Sequence, residues 1–207
     1  MYIEWIKNPK DVSKIFLNRD YLKEEVIINH YSEKEVSIIT SRGCIYDCAF
    51  CGGASSLNKD SNPRIRTKES IIQEIKEIVS RYPDVKSIRI LDDLFLRNKE
   101  SIDTVKEIFS NFPELSWRGM AHVGVLKKTF SKIEDLKESR CKELFIGIES
   151  GSNKIREKIR KSGTIKDILE VSSKILEVGI DLKGYFIYGF PEETEEDFKK
   201  TLEVAKK

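Results

Sequence analysis

Cys44-Ile-Tyr-Asp-Cys48-Ala-Phe-Cys51 places three thiols on one short stretch of chain. The gaps are three residues and then two, with an aromatic before the last cysteine and Gly52-Gly53 directly after it. Three thiolates on one loop can hold three irons of a cubane cluster and leave the fourth iron open. An open iron can take a further ligand, so this spacing points to chemistry at a 4Fe–4S centre.

Other uses of the cysteines match less well. A structural zinc site takes four protein ligands, often as two close pairs. Only Cys141, His30 and His122 remain to complete one, and none forms a second pair. A disulfide framework belongs to short secreted chains. Glu4 and Lys7 interrupt the start of the chain, so no leader pattern opens it. No apolar stretch approaches the roughly eighteen residues of a membrane span. The expected location is cytoplasmic, where thiols stay reduced and clustered cysteines mean metal or catalysis. A net charge of +2 with 35% charged residues gives no reason to expect a nucleic-acid or membrane partner.

The elements that must position this loop alternate. An apolar run, Val36 to Thr40, reads as a buried strand leading into the cysteines. Ile71, Ile72, Ile75, Ile78 and Val79 form a helical stripe. Ser87 to Leu91 reads as a strand, and Ile102, Val105, Ile108 and Phe109 as the next helix. Further strands are expected at Leu115 to Met120, Glu143 to Ile148 and Leu182 to Tyr188. A helix is expected to open on Ser131, with Glu134 completing a capping box. A helical region runs from Ser152 to Val178, broken at Gly163, and a last helix begins at Thr194. Alternating strands and helices predict an α/β fold with a parallel sheet. Five β/α units in 207 residues predict a partial, TIM-barrel-like β/α barrel, since a closed one takes about 250 residues. Residues 1–34 read as an N-terminal extension and 35–207 as the core. The pattern stops in a helix, which suggests truncation before a sixth strand and a C-terminal region.

In parallel α/β barrels the site lies at the carboxyl ends of the strands. The cysteine loop, Asp92-Asp93, Glu149-Ser-Gly-Ser152 and Gly189-Phe-Pro-Glu-Glu-Thr194 each leave a different strand at that end. With these residues the chain resembles the radical S-adenosylmethionine (radical SAM) superfamily over nearly all of 35–207. Ser37-Ile-Ile-Thr-Ser-Arg-Gly-Cys44, Asp92-Asp93 and Gly147-Ile-Glu-Ser-Gly151 are most similar to the branch that often carries an upstream cobalamin-binding domain. Cobalamin would then sit on a domain missing from this chain.

The resemblance implies that Cys44, Cys48 and Cys51 ligate the cluster and that S-adenosylmethionine chelates its open iron. Phe50 would lie against the adenine. Asp92 and Asp93 would receive the cofactor's ammonium, Glu149 the ribose hydroxyls, and Gly189 would let the backbone approach the adenine. Reductive cleavage would give a deoxyadenosyl radical that acts on an unknown substrate, with methyl transfer one outcome. A donor such as flavodoxin or ferredoxin would supply the electron. Relatives often carry Arg near the end of the third strand, where this chain has His122. The competing functions are an iron–sulfur electron carrier and a metal-stapled structural protein. Ser150 and Ser152 are expected to cap a helix, as are Thr194 and Asp197. Cys141 is expected to pack in the core, and His30 to have no role.

Overall fold

The computed structural model describes residues 11–15, 17–21, 25–57 and 62–207. One sheet organises the chain. Its strands are β1 (Ile27–Ile28), β2 (Lys34–Ile38), β5 (Ser87–Ile90), β6 (Ser116–Ala121), β7 (Cys141–Glu149) and β8 (Asp181–Phe186), side by side in that order. β2, β5, β6, β7 and β8 run parallel, and β1 pairs antiparallel with β2. A separate hairpin joins β3 (Ser41–Arg42) to β4 (Arg64–Ile65). Between the parallel strands lie α1 (Lys68–Arg81), α2 (Lys99–Ser110), α3 (Val123–Lys128), α4 (Ile133–Glu138), α5 (Asn153–Lys158) and α6 (Ile165–Glu177), and α7 (Glu195–Ala205) follows β8. This is the expected partial barrel of five β/α units.

The two faces of the sheet differ because strand side chains alternate. On one face Val36, Ile38, Ile88, Ile90, Trp117, Leu144 and Ile146 pack with Ile71, Ile75, Ile102, Val105, Leu136 and Val171 of the helices in one buried core. On the other face the register lines up Ser37, Arg89, Arg118, Glu143 and Asp181 in a single row across five strands. That row is polar because it lines the inside of the curled sheet, where the charges find partners. Arg118 donates two hydrogen bonds of 2.7 Å to the Glu35 carboxylate and a third bond to Glu143. His30 stands against the same arginine at 3.2 Å.

Helix starts follow capping chemistry. Asn98, Thr164 and Thr194 each form a capping box. Ser152 caps α5, and α5 and α6 are separated at Gly163, whose φ is +88°. The capping box expected at Ser131 and Glu134 does not form. Phe130–Lys132 winds as a 3-10 turn that runs straight into α4, so Lys132 stands at the cap without a side-chain bond. Ser131 is thereby held inside a turn and denied the extended backbone that a cap needs. The last expected strand is two residues too long, since pairing ends at Phe186. Cys141 is fully buried at the start of β7, as expected of a packing residue. Part of the N-terminal extension is held against the core: Arg19 pairs with Glu74 of α1, and Tyr82 donates to Glu25 at 2.8 Å.

Candidate active site

The cysteine loop leaves the carboxyl end of β2 and is fastened at several points. Gly43 donates its N–H to Asp93 at 2.9 Å. The N–H of Ala49 donates to the carbonyl of Ile159 at 2.9 Å, and Arg160 pairs with Asp47 at 3.0 Å. Asp47 also accepts from the Ser56 N–H at 2.8 Å. Cys48 is buried, Cys44 is partly buried and Cys51 is exposed; none forms a disulfide. Burial pushes the Cys44 and Cys48 thiols up, and Lys161 opposes the shift at both. Metal binding at such thiols must release protons.

The donor set tests what this loop could hold. Cys48 feels the charges of both Cys51 and Cys44, so the three thiols are neighbours. Among the described residues, no three His, Cys, Asp or Glu side chains close on one point as a single ion requires. A cluster of several irons spaces its thiolates more widely, and soft sulfur donors suit it. Three soft thiol donors on one loop fit an iron–sulfur group.

The other expected site residues reach the same rim, in different states. Asp92 is 2% exposed, and its carboxylate is taken up by the strand ends. It accepts from the Thr40 N–H at 2.6 Å, from the Thr40 hydroxyl and from Ser41 Oγ at 2.7 Å. Asp93 is exposed and holds only the Gly43 N–H in the structure described. Phe50 is 40% exposed and tilts against Phe190 at 5.9 Å, with Lys161 Nζ 6.0 Å from its ring centre. Gly189 has φ +88° and donates its N–H to Glu193 at 2.7 Å.

Glu149 ends β7 at a bulge, with φ +66°, a conformation non-glycine residues seldom adopt. It is 7% exposed and pairs with Lys161 at 3.0 Å. Gly147 makes room for this pair. A Cβ there would collide with the Glu149 carboxylate and the Lys161 ammonium. Ser150 and Ser152 anchor the following turn: Ser152 Oγ donates to Asp197 of α7 at 2.6 Å, and Gly151 donates its N–H to Thr201 at 2.8 Å.

Two functional candidates escaped the sequence reading. Lys161 is a cation nearly enclosed beside the thiols, yet it follows α5 in an ordinary basic stretch. Arg89 sits mid-strand on β5 and points to the inner face; its place between isoleucines was the available signal. His122 lies at the end of β6, 6% exposed, stacked on Tyr46 of the cysteine loop at 3.8 Å. Its Nδ1 accepts from the Gly124 N–H at 3.0 Å, and its Nε2 is buried with no partner among the described residues.

Burial first, then Lys161 and Arg156, depress the His122 pKa to about 3. The unfolded value is about 6.5, so His122 contributes stability that is present above that pH and lost as pH falls towards 3. We expect urea unfolding of the metal-free chain to show this slope. Replacement by Gln removes up to one proton from it, ~1.4 kcal/mol per pH unit. An unchanged slope in the variant would rule out a buried neutral imidazole.

Next to the thiols lies a cleft of about 490 Å³ lined by Cys44, Cys51, Asp93, Arg89, Phe145 and Tyr185, among others. A second cavity, of about 530 Å³, is lined by Val12, Ile15, Ile27 and the Arg19–Glu74 pair and contains no thiol. Candidate ligands of the cysteine loop line the first.

Residues 38–205 match the family model of the radical SAM superfamily. The chain belongs to that superfamily. It is 34% identical over 171 residues to an uncharacterized methyltransferase of Pyrococcus horikoshii, covering 82% of this chain and 36% of that protein. It is 26% identical over 199 residues to a tRNA-2-methylthio-N(6)-dimethylallyladenosine synthase of Finegoldia magna, covering 91% of this chain and 42% of that protein. The cobalamin-dependent radical SAM enzyme OxsB shares the fold, with TM-score 0.70 at 18% identity over 83% of this chain and 26% of that one. The chain thus spans less than half the length of the curated relatives it matches. Among the described residues no helix is long and apolar enough to cross a membrane.

Proposed function

We propose that this chain is the cluster- and S-adenosylmethionine-binding core of a radical SAM enzyme that transfers a one-carbon group. The observation that carries this reading is the thiol loop facing the same cleft as Asp93. The similarity to a protein named as a methyltransferase supports the reaction class. Bound together, a 4Fe–4S cluster and S-adenosylmethionine supply a deoxyadenosyl radical and methionine. The residues of this chain do the holding. Cys44, Cys48 and Cys51 bind three irons. Asp93, with its carboxylate at the cleft, accepts the ammonium of the methionine part, a charge-assisted bond. Phe50 offers a ring for the adenine, and Gly189 leaves its neighbourhood open. Glu149 accepts ribose hydroxyls while Lys161 holds it in place. Lys161 also offsets the negative charge gathered by three thiolates. A flavodoxin or ferredoxin donates the electron. Cobalamin use rests on the resemblance to one branch, and no residue here is assigned to it.

The two aspartates separate structure from binding. Asp92→Ala leaves the buried Thr40 N–H without its acceptor and should cost about 1–3 kcal/mol in thermal or urea unfolding. Asp93→Asn should leave that stability unchanged and weaken S-adenosylmethionine binding to the loaded chain by about tenfold, the loss of one charged hydrogen bond. Equal effects of the two changes on binding, with no difference in unfolding, would contradict this division.

The function itself is tested by anaerobic reconstitution with iron and sulfide, followed by S-adenosylmethionine and dithionite. Formation of 5′-deoxyadenosine is the expected product. A cluster that forms without binding or cleaving the cofactor leaves an electron carrier. Retention of zinc with refusal of iron leaves a structural metal site.

A further inference from the structure

Arg42, Arg64 and Arg89 all line the cleft beside Cys44 and Cys51. The Nε atoms of Arg64 and Arg89 are shielded from solvent and have no hydrogen-bond partner among the described residues. No ion pair to a carboxylate is found for any of the three among the described residues, although the same fold pairs Arg19, Arg66 and Arg118 with buried acids. The two aspartates at the cleft do not fill the gap. Asp92 is saturated by Thr40 and Ser41, and Asp93 turns to the Gly43 N–H.

A shielded guanidinium Nε without an acceptor is an exception among buried polar atoms, and each such atom calls for an explanation. Arginine offers a planar fork of donors that matches a carboxylate or phosphate with two parallel bonds. From this we infer that the cleft receives a small substrate through an anionic oxygen group, a carboxylate or a phosphate, gripped by Arg89 and Arg64. The inference rests on the radical SAM reading for the chemistry that follows, and deepens it by naming the substrate class.

The surroundings limit the rest of the ligand. The Arg89 guanidinium lies 5.5 Å from the Phe145 ring centre, which fixes its plane. Met120, Phe145 and Tyr185 supply an apolar wall beside the arginines. A volume of about 490 Å³ falls within the range of small-molecule sites, about 300–1,000 Å³. The ligand therefore combines one anionic end with an apolar or aromatic body. A polyanion is disfavoured: Arg89 is recessed on a central strand, and the chain's net charge is only +2. S-adenosylmethionine carries a carboxylate of its own next to the ammonium placed at Asp93, and the experiment below separates that anion from the substrate's.

Isothermal titration of the metal-free full chain tests this, with benzoate and inorganic phosphate as probes at constant ionic strength against chloride. At least one probe should bind, and the stronger identifies the anion. Arg89→Gln and Arg64→Gln should each weaken it about tenfold, as loss of a charged bidentate contact does. Exchange of the exposed Lys68 for Gln should leave it unchanged. Binding of neither probe above chloride overturns the inference, as does wild-type affinity in both arginine variants. Loss of S-adenosylmethionine affinity in cluster-loaded Arg89→Gln, matching the loss for the probe, also overturns it by assigning the arginines to the cofactor. Failure of the cluster to assemble would instead defeat the radical SAM reading and leave the anion titration standing.

Discussion

Cys48→Ala should abolish the iron–sulfur cluster. Cys48 is the most enclosed of the three thiols, and alanine supplies no ligand in its place. The loop backbone does not depend on the sulfur: the Ala49–Ile159 and Gly43–Asp93 bonds remain. The variant should therefore fold with the far-ultraviolet spectrum of the parent and fail to hold iron. Iron and acid-labile sulfide after anaerobic reconstitution are the measurement, together with visible absorption. Cys141→Ala is the matched control. Its thiol lies in the core at the start of β7, so it should cost modest stability, about 1 kcal/mol, and leave the iron content intact. Normal iron in Cys48→Ala would remove the ligand assignment and the proposed function with it.

Arg118→Ala should produce the largest loss of stability of any single change proposed here, about 3–5 kcal/mol. Its guanidinium is buried between Glu35, which has no exposed surface, and Glu143. Burial pushes the Glu35 carboxyl up, but hydrogen bonds from Arg118, Ser87 and Asn29 outweigh it and hold the group below the usual range. Glu35 is thus charged at neutral pH, and removing Arg118 strands that charge inside the barrel. The sign of the pH dependence follows. Glu35 contributes stability above its unfolded pKa, and that contribution is lost as pH falls through its lower folded value. In Arg118→Ala the acid limb should invert, because a stranded carboxylate is relieved by protonation. A companion variant carrying Arg118→Met, Glu35→Gln and Glu143→Gln should recover much of the loss, since breaking a buried pair costs more than replacing all of it. Urea midpoints at pH 7 and pH 5 decide. A loss under 1 kcal/mol, roughly that of an exposed pair, would mean the network is solvated.

Much of this protein could be read along the chain. The helical stripes at Ile71, Ile75 and Ile78 and at Ile102, Val105 and Ile108 became buried helix faces, because periodicity survives whatever a helix packs against. Thr194 with Asp197 became a capping box for the same local reason. The cysteine spacing also needed no tertiary knowledge, since three ligands on one loop carry their own geometry. What failed was equally local in cause. Ser131 and Glu134 have the right identities, but the chain enters α4 through a 3-10 turn, which the motif does not reveal. β1 and the β3–β4 hairpin are two-residue pairings, too short for any periodic signal.

The sequence by itself determined the order of strands and helices, the thiol loop and the end of the sheet that the candidate residues share, because those follow from spacing and alternation. Only the tertiary structure decided which of two adjacent aspartates is free. Both line the cleft, but Asp92 is consumed by Thr40 and Ser41, some fifty residues earlier in the chain, while Asp93 holds only the Gly43 N–H among the described residues. It also brought Lys161 onto Glu149 and left Arg64 and Arg89 lining a cavity whose two acids, Asp92 and Asp93, are bonded elsewhere. Partners distant in sequence are chosen by sheet register and crossover packing, and single-residue identity has no bearing on them until the strands are aligned.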